Sequence, residues 1–276
     1  MASSLVSKYV PLSNEEIMSK APSIMATEPW HGVNKRYNFI PTSELISEMY
    51  KHDFLPFAVH ESNSRDADKF GYTKHAISFR HLSTFDEFEN EVVPQVVIMN
   101  SHDKSSSYKI FCGIFRFVCS NGLIVGDKVS QYKIRHYGVN NTLECIIEAS
   151  FRILEHSKNV MEIKSAWQAL NLSYDYRLAL AEKAHQIRFD GKDVPITPDM
   201  LLTPRNSTDF KNTSLWNTFN IIQENMMKGG QIGYYKDDTH KYKKFTTRPI
   251  VNVGKNLGMN IELWNAAKEV YEELAA

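Results

Sequence analysis

Residues 106–120 read SSYKIFCGIFRFVCS, and the fold turns on whether they form a strand or house a reactive thiol. Tyr108, Ile110, Cys112 and Ile114 alternate with Lys109, Phe111, Gly113 and Phe115. Aromatic and β-branched side chains at this density suit a strand. Apolar residues on both faces make it a central strand, covered on each side. Cys119 closes the run, and Ser120, Asn121 and Gly122 read as a turn, since Gly122 can take a positive φ. A nucleophilic cysteine needs a nearby cation or a helix N-terminus to lower its pKa. Cys119 instead sits in an apolar run, and the LIVGD that follows reads as a returning strand. The expectation is a structural thiol, with a reactive one as the alternative.

Working outward, KHAISFRHL (74–82) and QVVIMNSHD (95–103) read as two earlier strands of an antiparallel meander. The linking NSHDKSSS is rich in turn formers. It has three readings. Its polar side chains satisfy turn amides; or Asn100, His102, Ser105 and Ser106 contact a phosphate; or Asn100, His102 and Asp103 act with Cys119 as an enzyme. No HExxH, GxxxxGK[ST] or GxGxxG is present, so no metal, nucleotide or other cofactor is expected and the chain is read as non-enzymatic.

Around the meander the period becomes helical. Residues 42–52 form a first helix, with Thr42 and Ser43 as N-cap candidates. Leu143, Ile146, Ile147, Phe151 and Leu154, then Val160, Ile163, Trp167 and Leu170, mark one very long amphipathic helix or two in series. Helices follow at 173–189, 213–230 and 259–275, and 191–209 carries three prolines and reads as a loop. The fold class is α+β: an antiparallel meander packed on long helices, with a helical C-terminal half. The expected divisions are an irregular N-terminal arm (1–40), an α+β core (41–190) and a C-terminal helical region (191–276). The arm is expected to be mobile or docked on a partner subunit.

The chain has 276 residues, 42% hydrophobic and 23% charged, which is ordinary for a globular protein. Its start lacks the basic and apolar regions of a signal peptide, and three cysteines without a CxxC pair suggest no disulfide framework, so a cytoplasmic protein is expected. With 32 basic and 32 acidic residues the net charge is zero, which argues against a non-specific DNA coater and moves attention to local tracts. Two tracts interleave cations with aromatic rings. KVSQYKIRHYG (128–138) offers Lys128, Tyr132, Lys133, Arg135 and Tyr137. YYKDDTHKYKKFTTR (234–248) holds Lys236, His240, Lys241, Lys243, Lys244 and Arg248 with Tyr234, Tyr235, Tyr242 and Phe245, of which Tyr235, Lys241, Tyr242, Lys243, Lys244 and Arg248 are taken as the site. Cations for phosphates and rings for bases are what a single-stranded nucleic acid groove requires. The alternative for each tract is a solvated loop.

Three blocks carry a resemblance: PQVVIMNSHDKSSSYKIFCGIFRFVCSNGLIVG, LWNTFNIIQENMMKGG and GMNIELWNAAKEV. Together they resemble a phage/plasmid-like protein family of prophages, plasmids and phage genomes, catalogued as a domain of unknown function, over residues 28–272. That resemblance implies a mobile-element context and assigns no catalytic residue. The element order also resembles phage single-strand annealing proteins of the Redβ and RecT type, which implies a homo-oligomeric ring or filament holding single-stranded DNA. The expected function is thus a phage-encoded, non-enzymatic protein of DNA annealing or recombination, in the host bacterial cytoplasm, without membrane contact. The alternative is an inhibitor of a host defence system that binds a host or phage protein. In its favour, 13 tyrosines and 4 tryptophans suit a protein interface.

Overall fold

The computed structural model describes residues 10–84, 92–116, 121–124, 131–135 and 141–275. In chain order the elements are α1 (Asn14–Lys20), α2 (Thr42–Lys51), β1 (Phe54–Glu61), β2 (His75–His81), β3 (Val92–Asn100), β4 (Tyr108–Arg116), β5 (Asn121–Ile124), β6 (Gln131–Ile134), α3 (Thr142–Ala169), α4 (Tyr174–Phe189), α5 (Leu215–Lys228), β7 (Ile232–Lys236), β8 (Tyr242–Thr246) and α6 (Val253–Ala275). The fold is α+β, with an antiparallel meander followed by a largely helical C-terminal part. The chain divides into two compact units, 1–159 with 251–254, and 160–250 with 255–276. The first division falls inside α3 rather than in the proline-rich loop.

Strand β4 organises the first unit. The sheet runs β1-β2-β3-β4-β5, and β6 also pairs with β4. One edge of β4 serves β3; the other is shared, Tyr108–Phe111 bonding β6 and Gly113–Arg116 bonding β5. The expected turn at 120–122 is corrected here. Asn121 already pairs with Arg116 and Gly122 with Phe115, so these two residues extend the ladder and gain its hydrogen bonds. Cys119 lies outside the described residues. Cys112, on the same run, is fully buried, and burial pushes its thiol up to about 12, which leaves it inert.

One sheet face is built from His75, Ile77 and Phe79 of β2, Ile98 and Asn100 of β3, and Tyr108, Ile110 and Cys112 of β4. Helix α2 and the first half of α3 pack on it. Ser150 Oγ lies 3.9 Å from Met49 Sδ, and the Phe151 ring meets Phe54 edge-on at 5.2 Å. The buried row of α3 in this unit is Ile146, Ser150, Ile153 and Ser157. Small serines let the helix approach closely, and each returns its hydroxyl to a carbonyl of the same helix. Phe151, expected on the apolar stripe, is instead 41% exposed.

Two expectations fail near the N-terminus. Thr42 does not cap α2; the N-cap position is Pro41, without a side-chain bond. Thr42 Oγ1 instead lies between two buried rings, 2.9 Å from His75 Nε2 and 3.1 Å from His102 Nε2. The stretch read as a loose arm is in large part docked on its own unit. Ile17, Ala21 and Ile24 are fully buried. The Ser23 amide and hydroxyl both donate to the Glu61 carboxylate, at 2.9 and 2.7 Å, and the Leu12 amide donates to the Pro56 carbonyl on the outer strand β1. Strand β1 itself was not foreseen. It carries Pro56, which an edge strand tolerates, and a bulge that sets the Phe57 ring 4.1 Å over the buried Arg80 guanidinium.

The second unit has an aromatic core. Trp167 of α3, Phe219 of α5 and Trp264 of α6 meet with ring centroids 4.4–5.7 Å apart. Helix α5 is buried from Leu215 to Met227, begins under a Ser214 cap and stops at Gly229 in a positive-φ conformation. Beyond it, β7 and β8 form a separate two-stranded sheet. Gly233 seats this sheet against the loop before α5: an added Cβ would fall 1.5 Å from the Pro195 carbonyl oxygen.

Two outcomes follow. His75 is neutral in the folded chain, its pKa lowered by burial to about 4 from 6.5. The unfolded imidazole takes a proton below 6.5 that the folded one refuses until about 4, so stability falls as pH drops through that window, by up to roughly 3 kcal/mol. Urea unfolding at several pH values should show this loss in the wild-type chain and a smaller one in His75→Gln. Gly233→Ala should destabilise the second unit by ~1–3 kcal/mol through overpacking, read as a lower thermal midpoint for tryptophan fluorescence.

Candidate nucleic-acid interface

The loop between β3 and β4 presents little to a ligand. Asn100 and His102 are 1% and 0% exposed, which corrects their expected phosphate contact. Their surroundings fix a proton order. His75 Nδ1 lies 2.9 Å from the Thr73 carbonyl, which only accepts, so Nδ1 carries the hydrogen. His75 Nε2 then accepts from the Thr42 hydroxyl, and Thr42 Oγ1 accepts from His102 Nε2–H. Neither end of the Asn100 amide completes a hydrogen bond of normal geometry. Ser105 is exposed, but its amide is spent on Asp103 Oδ1 at 3.0 Å. The Ser106 amide is spent on Ser101 Oγ at 2.9 Å and its hydroxyl donates to the Ser107 carbonyl. The loop turns on its own polar groups.

The first basic-aromatic tract supplies β6. Tyr132 pairs across the ladder with Ile110 and Lys133 with Lys109, so ring and cation point to opposite faces. On the Tyr132 side lies a groove of about 520 Å³, lined also by Arg152, Ile153, Glu155, His156, Lys158 and Asn159 of α3. Arg152 is held by Glu148 at 2.5 Å, and first that carboxylate, then the Tyr132 hydroxyl, raise its pKa. Lys133 and Arg135 are exposed on the other side. Lys128 and Tyr137 lie outside the described residues.

The second tract folds into the β7–β8 hairpin. The register pairs Tyr234 with Lys244 and Lys236 with Tyr242. These four side chains share one face as a checkerboard, each ring beside one cation across the ladder and another along it. Tyr234 is 64% and Tyr242 72% exposed, and Lys236 Nζ stands 5.1 Å from the Tyr242 ring centroid. The opposite face pairs Tyr235 with Lys243. Lys243 Nζ bonds Asp237 at 3.0 Å, so its charge is partly matched. Asp237 also accepts from the Thr239 hydroxyl and amide and the Lys241 amide, which shapes the loop. The Thr239 hydroxyl foremost, then Lys243, hold its pKa at about 2. Lys241 and Lys244 are exposed; Arg248 follows the hairpin, its side chain exposed and its carbonyl taken by Arg188.

The base of the hairpin is clamped. The Gly230 amide donates to the Thr247 carbonyl and the Thr247 amide to the Gln231 carbonyl, at 2.8 and 3.0 Å. The Thr247 hydroxyl donates to Gln231 Oε1 at 2.6 Å. Asn225, buried in α5, accepts at Oδ1 from Gln231 Nε2 and Arg205 Nε and donates from Nδ2 to the Leu201 and Thr203 carbonyls. Sequence reasoning left Tyr234 and Lys236 out of the site, although the strand alternation of YYK would have placed Tyr234 and Lys236 together. It also missed Arg152, His156 and Asn159, whose spacing of four and three marks one helix face.

Over 273 residues the chain is 31% identical to UPF0380 protein YfjQ and to UPF0380 protein YafZ, both of Escherichia coli strain K12, covering 99% of this chain and 96% of each relative. No solved structure matches. Residues 29–264 match the family described as Domain of unknown function (DUF932), and the chain belongs to that family.

Proposed function

We propose that this protein binds single-stranded nucleic acid, with the β7–β8 hairpin as its stacking platform. The observation that carries the reading is the exposed checkerboard of Tyr234, Tyr242, Lys236 and Lys244 on a clamped hairpin. Large aromatic rings held in water gain little unless something stacks on them, and a nucleobase offers a flat apolar face while its phosphate reaches the adjacent cation. The groove beside Tyr132, with Arg152 and Lys158, supports the same chemistry on the first unit. The reading requires no cofactor and no covalent step. Annealing of two strands by a homo-oligomer is its finer form, resting on element order.

A second reading takes the same surface as a protein interface, for a host or phage partner. Ile232, 42% exposed beside Tyr234, favours it, since a flexible nucleic acid has less use for an aliphatic neighbour.

Fluorescence anisotropy with a labelled oligothymidine should show binding that weakens as salt rises. Tyr234→Ala with Tyr242→Ala should lose roughly 1–3 kcal/mol of affinity per ring while circular dichroism stays unchanged. Unaltered affinity in that double variant would overturn the platform. Capture of a protein partner that survives nuclease treatment and is lost in the same variant would favour the second reading.

A further inference from the structure

Cations gather on the opposite side of the first unit's sheet from the Tyr132 groove, Lys109, Lys133 and Arg135 at its β4–β6 end and Lys74 beyond the buried Met99 and Ala76. Lys133 of β6 pairs with Lys109 of β4, Lys109 pairs with Met99, and Met99 with Ala76. Lys74 precedes Ala76 by two residues and so shares its face, and its carbonyl continues the ladder by accepting from the Ser62 amide at 2.7 Å. Arg135 follows Lys133 at the same two-residue spacing. Lys74 and Lys109 are half-buried, whereas Lys133 and Arg135 are exposed. Among the described residues none of the four has a carboxylate partner. Other lysines of the unit do: Lys51 bonds Glu48 at 2.7 Å and Lys69 lies 3.7 Å from Asp103.

Like charges directly opposite each other in a ladder are destabilising. Here the opposed pair includes a cation half removed from water, and burial, Lys133 and Lys74 together lower the Lys109 pKa. A sequence that only needed solubility would gain by placing one acid among them. The arrangement becomes favourable when a chain of anions lies along it. Flexible lysine stems act there as point charges that reach successive phosphates without fixed geometry.

We propose that Lys74, Lys109, Lys133 and Arg135 form a second, phosphate-contacting surface for a polynucleotide backbone, in a different compact unit from the hairpin. The surface itself stands on the gathered cations; the choice of a polynucleotide over another polyanion rests on the hairpin reading. The hairpin supplies stacking with its own two cations, and this second surface adds further phosphate contacts.

The test is a salt series on the full chain with labelled oligothymidine, using wild type, Lys109→Gln with Lys133→Gln, and Tyr234→Ala with Tyr242→Ala. Loss of two phosphate contacts should make the slope of log affinity against log salt shallower by about 1.4. The tyrosine variant should lose affinity at every salt concentration and keep its slope. The lysine variant should melt no lower than wild type, because a repulsion has been removed, so lost binding is not lost fold. An unchanged slope in the lysine variant overturns the proposal. So does a lysine variant that loses binding of inorganic polyphosphate when the wild-type chain binds no oligothymidine. If the tyrosine variant binds like wild type while the lysine variant loses slope, the hairpin reading falls and the cation surface stands.

Discussion

A two-stranded hairpin with five-residue strands does not hold its shape alone in water. The exposed Tyr–Lys face therefore depends on what fixes its base, and one carboxamide does most of that. Asn225 has two acceptor lone pairs and two N–H donors, and all four are used: Arg205 and Gln231 on the oxygen, the Leu201 and Thr203 carbonyls on the nitrogen. Through it Gln231, at the foot of β7, is tied at once to helix α5 and to the loop before that helix. Gly233 adds a steric condition, since only a missing Cβ lets β7 approach Pro195 this closely. With the base held, Tyr234 and Tyr242 remain exposed without the loop collapsing onto them.

Neutral overall charge conceals how the charges are arranged. Many of the acids are engaged locally: Glu61 with Ser23 and Thr73, Asp103 with Lys69, Asp237 with its own loop and Lys243, Glu224 with Lys228. Some of the cations, such as Lys109 and Lys133, face each other instead. A ledger of total charge sees a balance, while the β4–β6 end of the sheet carries Lys109, Lys133 and Arg135 together. The local pattern bears on binding, because screening confines the influence of an exposed charge to about 10 Å at ordinary ionic strength.

The meander and the long helices were legible because they obey simple periods. Strands β2, β3 and β4 each bury apolar residues, and α3 shows its spacing through Ile146, Ile147 and Ile153. Strand β1 escaped notice because Pro56 interrupts it, and an edge position cannot be read from one segment. The hairpin escaped as a strand pair because all its residues but Gly233 and Phe245 are exposed, so no apolar alternation exists to read; its residue types gave it away as a tract but not as a surface. Asn100 and His102 misled for the opposite reason. Polar residues in a turn-rich segment look exposed, yet here Thr42 arrives from a distant helix to bond the buried ring at Nε2. Only tertiary contacts decide such cases. Cation pairing across β4 and β6 was equally invisible, since register joins residues that lie far apart in the chain.

The fastening of Ser23 to Glu61 and Thr73 has a consequence in the order of synthesis. Ser23 leaves the ribosome first, and its hydroxyl partner Thr73 follows 50 residues later. At roughly 5–20 residues per second of translation, the segment waits several seconds without its binding surface. Strand β1 likewise emerges before β2 and the rest of the sheet. In the folded chain the segment lies against β1, and its Leu12 amide occupies the Pro56 carbonyl on the outer edge. An open strand edge is a template for another chain. Until Glu61 and Thr73 are made the Ser23 segment lacks these partners, and in the folded chain its Leu12 contact withdraws that point of the edge from neighbouring copies.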